Sequence, residues 1–160
     1  VKARVAASVI IAAALVLGSS GCAYFAPQAT TIHYEPSDGV AATVGDIKVR
    51  NAVAITDDGS TANLVMSVIN TGDQPVVLDV QYANAGGIKQ TSRVFARANK
   101  ITPVGYGDGD AISMTELGLK VGGLVKVYVQ YGSEAGEQMQ VPLLTPEQSQ
   151  FATLAPTATP

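Results

Sequence analysis

The feature that most restricts the fold is a strict alternation near the C-terminus. Val125, Val127, Val129 and Tyr131 alternate with Lys126, Tyr128 and Gln130. A period of two places these sets on opposite faces of a strand, whereas a helix would scatter both around its axis. Met139, Val141 and Leu143 repeat the pattern against Gln138 and Gln140 after a turn at Gly132 to Gly136, so the two runs read as a hairpin. Earlier, Ile47, Val49, Val53 and Ile55 share one parity and Lys48, Arg50 and Thr56 the other, with Ala52 and Ala54 neutral. They predict a half-buried strand whose buried face Asn51 interrupts. Leu64, Met66 and Val68 form the buried face of a second strand, with Val65 and Ile69 partly covered on the other. Val76, Leu78, Val80 and Tyr82, set against Asp79 and Gln81, form a third. Asp57-Asp58-Gly59-Ser60 and Asn70-Thr71-Gly72-Asp73 supply turns between them.

The middle of the chain, Ala83 to Asp110, is less periodic. A short strand around Arg93 to Arg97 stands between Gly86-Gly87 and a run of Pro, Gly and Asp over 103–110, and Ala111 to Leu119 holds one more. Six to eight short strands with turns at regular intervals and no helical period predict an all-β domain over 44–144, an immunoglobulin-like β-sandwich. The cysteine pair and tryptophan of true immunoglobulin domains are absent, so the expectation concerns architecture alone. With Cys22 the only cysteine, the domain has no intramolecular disulfide and an apolar core must hold it. Residues 145–160 carry Pro146, Pro156 and Pro160 among small polar residues and read as a loose tail, with Phe151 and Leu154 available for local docking.

Lys2 and Arg4 open the chain, an apolar run from Val5 to Leu17 follows with only Ser8 interrupting it, and small residues fill 18–21. That order is the pattern of a secretory signal peptide over 1–21. Ser19-Ser20-Gly21-Cys22 resembles a bacterial lipobox, with Ser19 standing where leucine or another aliphatic residue is usual. The resemblance implies that the Cys22 thiol carries a diacylglyceryl group and becomes the mature N-terminus. The chain's membrane partner is then reached through lipid, on the extracytoplasmic face of the cell membrane. Two acyl chains anchor stably where one binds only marginally. The same residues allow two other outcomes. Ser19 and Gly21 suit an ordinary cleavage site that releases a soluble protein with a free thiol. Val5 to Ala26 carries no charge and is long enough to persist as a spanning helix, although Gly18 and Gly21 weaken it. Residues 22–43, with Pro27, Pro36 and Ser37-Asp38-Gly39, read as a lipidated N-terminus and flexible tether.

Tyr34-Glu35-Pro36-Ser37-Asp38-Gly39-Val40 and Val44-Gly45-Asp46-Ile47-Lys48-Val49-Arg50-Asn51, with Val68-Ile69-Asn70-Thr71-Gly72-Asp73-Gln74-Pro75-Val76, resemble small actinobacterial lipoproteins of unassigned function. That resemblance implies an exported, anchored sandwich and supplies no activity. The same layout is distantly similar to periplasmic copper chaperones, which hold copper(I) through methionine and histidine, soft ligands for a soft ion. Their His-x-Met motif has no counterpart here. His33, the only histidine, lies in the tether, Met66 and Met139 fall on core faces, and Met114 alone is loosely placed.

Chemistry is narrowed in the same way. A serine or cysteine nucleophile needs an oriented base, and His33 in a tether does not supply one. Asp57/Asp58 and Asp108/Asp110 sit in glycine-rich turns, where acids cap backbone and face water. Asp108-Gly109-Asp110 lacks the rest of a calcium loop. The sequence therefore implies no enzyme, no cofactor and no metal site. Without residues 1–21, which hold two bases and no acid, 8 basic and 13 acidic side chains remain, a poor balance for nucleic acid. Against that acidity, Lys89, Arg93, Arg97 and Lys100 fall in an acid-free stretch from Val80 to Gly107, a basic patch suited to anionic lipid or wall polymer, or simply a charged, solvated edge. The reading is a non-catalytic binding or interaction module, its protein or cell-wall polymer partner unnamed. An exported metal or small-ligand carrier is the alternative.

Overall fold

The computed structural model describes residues 2–19 and 37–156. Helix α1 spans Lys2–Ser19, an alanine-rich run with no glycine before Gly18 and no proline, and it lies within the stretch read as a signal peptide. No helix among the described residues is long and apolar enough to cross a membrane. Cys22, His33 and the tether up to residue 36 lie outside the described residues.

Over residues 37–156 the regular structure is all β. Nine strands follow one another: β1 (Val40–Val44), β2 (Ile47–Ile55), β3 (Ala62–Asn70), β4 (Val76–Ala83), β5 (Lys89–Ala96), β6 (Lys100–Val104), β7 (Ile112–Met114), β8 (Leu124–Gln130) and β9 (Glu137–Leu144). They form one curled mixed sheet in the order β5-β4-β8-β9-β2-β3-β6, with β1 beside β2 and β7 beside β3. All its pairings are antiparallel except one, a short parallel match of Ala54 with Leu143 and Ile55 with Leu144. That match joins β4, β5, β8 and β9 to the remaining strands, and the Thr56 N–H extends it by donating to the Leu144 carbonyl at 3.0 Å.

Between the two halves of the curl lies the main core. Val44, Ile47, Val49, Leu64, Met66 and Val68 come from one half, and Leu78, Val80, Val127, Val129, Val141 and Leu143 from the other. Burying such side chains contributes about 1.5–3 kcal/mol each before the entropy of ordering them is subtracted.

Three expectations are corrected. The ordered domain begins at Val40 rather than 44, because Ala42 and Val44 bury their side chains and β1 turns tightly into β2 through Gly45 at φ +51. Alanine is too small to mark a strand by periodicity, which concealed β1. Strand β6 falls in the poorly periodic middle and runs into the start of the 103–110 segment, where Thr102 and Pro103 dilute the alternation.

The third correction concerns β2. Its register with β3 shifts between Arg50 and Val53, and Asn51 stands there at φ +52. An extra residue in a strand reverses which parity faces which side. Ile47 and Val49 enter the main core, but beyond the bulge it is Ala52 and Ala54 that continue it. Val53 and Ile55 turn to the opposite face and form a second cluster with Val65 and Phe151. The tail over 145–155 therefore covers the outer face of β2 and β3, with Phe151 6% exposed.

Candidate functional site

Strands β5 and β6 end the sheet at its two edges, and the chain passes from one to the other through residues 97–99. Asn99 turns that corner at φ +52, and its N–H donates to the Gly72 carbonyl at 3.1 Å. The Asn70 amide reaches the same corner, donating to Gln74 O at 2.8 Å and Ala96 O at 3.1 Å. Away from this fastened end no ladder joins β5 to β6. They flank a groove of about 400 Å³, lined by Ser92 to Phe95, Arg97, Ile101 to Val104 and 108–112.

Charge and apolar surface converge on β5. Its register with β4 sets Lys89, Thr91, Arg93 and Phe95 on one face, opposite Ala83, Gln81, Asp79 and Val77, while Val94 and Ala96 point into the core. Phe95 is 56% exposed and Ile101, across the groove mouth, 64%. Arg93, Arg97 and Lys100 are exposed around this corner, and Lys89 is exposed at the far end of β5. The Arg93 Nε lies 3.3 Å from Asp79 Oδ1, an exposed ion pair of the kind that contributes less than about 1 kcal/mol and exchanges readily.

The two edges are not equivalent. Half of the N–H and C=O groups of any edge strand point away from the sheet and are free to pair. Strand β5 offers eight residues with no proline or glycine, while β6 offers five and lacks the N–H of Pro103. The receptive edge is β5.

A second cleft, of about 600 Å³, opens beside the docked tail between Val65, Ser67, Tyr106, Phe151 and Leu154, with Ser37, Asp38 and Asn51 at its rim. Ser67 Oγ and the Tyr106 hydroxyl share a hydrogen bond of 2.7 Å there. Nearby, Asn63 donates to Gly105 O at 2.8 Å and Leu154 O at 3.0 Å, tying the tail to β3, while its buried Oδ1 has no partner among the described residues.

Of the carboxylates singled out from the sequence, that of Asp58 serves the backbone. Asp58 Oδ1 accepts from Ser60 N at 2.8 Å and Thr61 N at 3.2 Å, and these N–H groups, Ser60 first, hold its carboxyl below the usual range. The Asp110 carbonyl accepts from Gly105 N at 2.9 Å, so Asp108-Gly109-Asp110 closes a loop at the groove wall. Met114 is not loosely placed: it is fully buried on β7 against β3, and Met66 and Met139 also lie in the core. A thioether enclosed in this way acts as packing material. Among the described residues no three His, Cys, Asp or Glu side chains are grouped to hold a metal ion.

No family model matches the chain, and no curated protein matches it either. The site therefore rests on geometry. Of the sequence candidates, the structure places Arg93, Arg97 and Lys100 near one corner, while Lys89 lies at the far end of β5. Phe95 and Ile101 were missed, although an aromatic residue between two arginines at alternate positions was a readable signal for an exposed apolar residue.

Proposed function

We propose that the protein is a non-catalytic binding module, exported and held at the extracytoplasmic face of the cell membrane by lipid on Cys22. It makes its contacts through the β5 edge and the groove beside it. The curled sheet is taken to be an immunoglobulin-like sandwich whose two halves meet across the main core. The observation that carries the binding reading is a proline-free edge strand, unpaired on one side among the described residues, bearing exposed Phe95 between Arg93 and Arg97 on an otherwise acidic domain. The anchor reading is carried by the lipobox resemblance at Ser19-Ser20-Gly21-Cys22.

Lipid confines the domain to a shallow layer above the bilayer, which raises its encounter rate with partners held in the same layer. The test is isolation of the lipidated chain from membranes after cross-linking, beside a Cys22→Ala chain. The reading requires membrane recovery of the first, release of the second, and a partner cross-linked through the β5–β6 corner. Retention of the Cys22→Ala chain in the membrane fraction would overturn the lipid anchor. A lipidated chain that cross-links to nothing would overturn the binding module.

A further inference from the structure

We infer that the occupant of the β5 edge is an extended acidic segment of a partner polypeptide, added to the sheet as one more strand. This rests on the binding-module reading and names what the module takes. Strand addition obtains its affinity from main-chain hydrogen bonds and its selectivity from alternate side chains. Strand β5 meets the first need with an edge unpaired among the described residues and the second with the row Lys89, Thr91, Arg93 and Phe95.

That row specifies the ligand. Arg93 and Phe95 are two residues apart on β5, about 7 Å along the strand, and Arg97 follows just past its end. A strand laid beside β5 satisfies all three with a carboxylate, an apolar residue two positions on and a second carboxylate two positions further. Its intervening side chains point inward toward Val94, Val104 and Ile112 in the groove, which favours small apolar residues there. Asp108 and Asp110 also line the groove and repel carboxylates near them, which favours acids held against the bases of β5.

The same charges argue against a second copy of this chain as occupant. In an antiparallel self-pairing that stacks Phe95 on Phe95, the most apolar register, Arg93 falls opposite Arg97 twice. Like charges directly opposed across strands are destabilising.

The test titrates the full chain, purified in detergent, with a short synthetic peptide carrying two glutamates four residues apart, leucine midway and valines elsewhere. Binding should be accompanied by slowed amide exchange across Lys89–Ala96. It should fall about tenfold or more at low salt when lysines replace the glutamates, or when Arg93→Glu and Arg97→Glu are combined in the protein. It should be lost when the peptide nitrogens facing β5 are methylated, which leaves charge and shape but removes donors. Equal binding of the methylated peptide would overturn strand addition in favour of a simple charged patch. Binding of the Cys22→Ala chain to phosphatidylglycerol vesicles through Arg93 and Arg97, with no peptide bound, would overturn it in favour of a lipid surface. A β5-mediated dimer that the peptide does not disperse would also overturn it. If the membrane experiment cross-links a partner away from β5 while the peptide fails, strand addition falls and the binding module stands.

Discussion

The Asn70 side-chain amide donates to the Ala96 carbonyl at 3.1 Å, tying the last residue of β3 to the last residue of β5. The two residues belong to opposite halves of the curl, and their bond fastens the closed end of the groove. Asn70 also donates to Gln74 O at 2.8 Å and accepts from Gly72 N at 2.9 Å, so one buried side chain holds the whole corner.

Asn70→Ala should therefore destabilise the protein by about 2–3 kcal/mol, since it leaves buried backbone groups without partners. Urea unfolding gives the loss, and faster amide exchange at Asn99 should accompany it. A change under about 0.5 kcal/mol, the range of an ordinary surface substitution, would contradict this role.

Asn51→Val should cost about 1–3 kcal/mol, because a β-branched residue resists the left-handed backbone at the bulge and cannot accept the Gly39 N–H, 3.2 Å from Asn51 Oδ1. Asn51→Gly loses the same bond but relieves the backbone, so it should be the milder of the two in thermal denaturation.

Phe151→Ala should cost about 2–4 kcal/mol, near the lower part of the range for buried aromatic residues because its cluster is small. The loss should be local. Exchange at Val53, Ile55 and Val65 should rise while Val127 and Val141, in the main core, stay protected. Uniform loss of protection would contradict an independent outer cluster.

Asp58 supplies a pH dependence whose sign follows from its turn. Its carboxyl is held below 3.8 by the Ser60 and Thr61 N–H groups, so the folded state favours the ionised form. The associated stability is fully present above the unfolded value and is lost as pH falls through the folded one. Asp58→Ala should therefore be less stable than the parent at pH 7, with the gap closing as pH falls through and below the ordinary aspartate range. A gap that widens with acid would refute the capping role.

Much of the fold was legible from local pattern. The alternation of β3, β4, β8 and β9 identified those strands because a period of two is a property of neighbouring residues. Strand β1, rich in alanine, and β6, with its Thr-Pro pair, carry too little contrast for that signal. Of the candidate site, the bases at Lys89, Arg93, Arg97 and Lys100 were visible as a charge run, but the groove was not, since it lies between strands at opposite ends of the sheet order.

By itself the sequence determined the extension of β3, β4, β8 and β9 and, with one cysteine among its 160 residues, that no disulfide braces them. Only the tertiary structure decided which way those strands face and what covers them. The bulge at Asn51 sent Val53 and Ile55 away from Ile47 and Val49, the tail brought Phe151 to meet them, and closure of the curl enclosed Met114. The physical reason is one of range. Alternation is set within a strand, whereas register, burial and the freedom of an edge depend on residues distant along the chain.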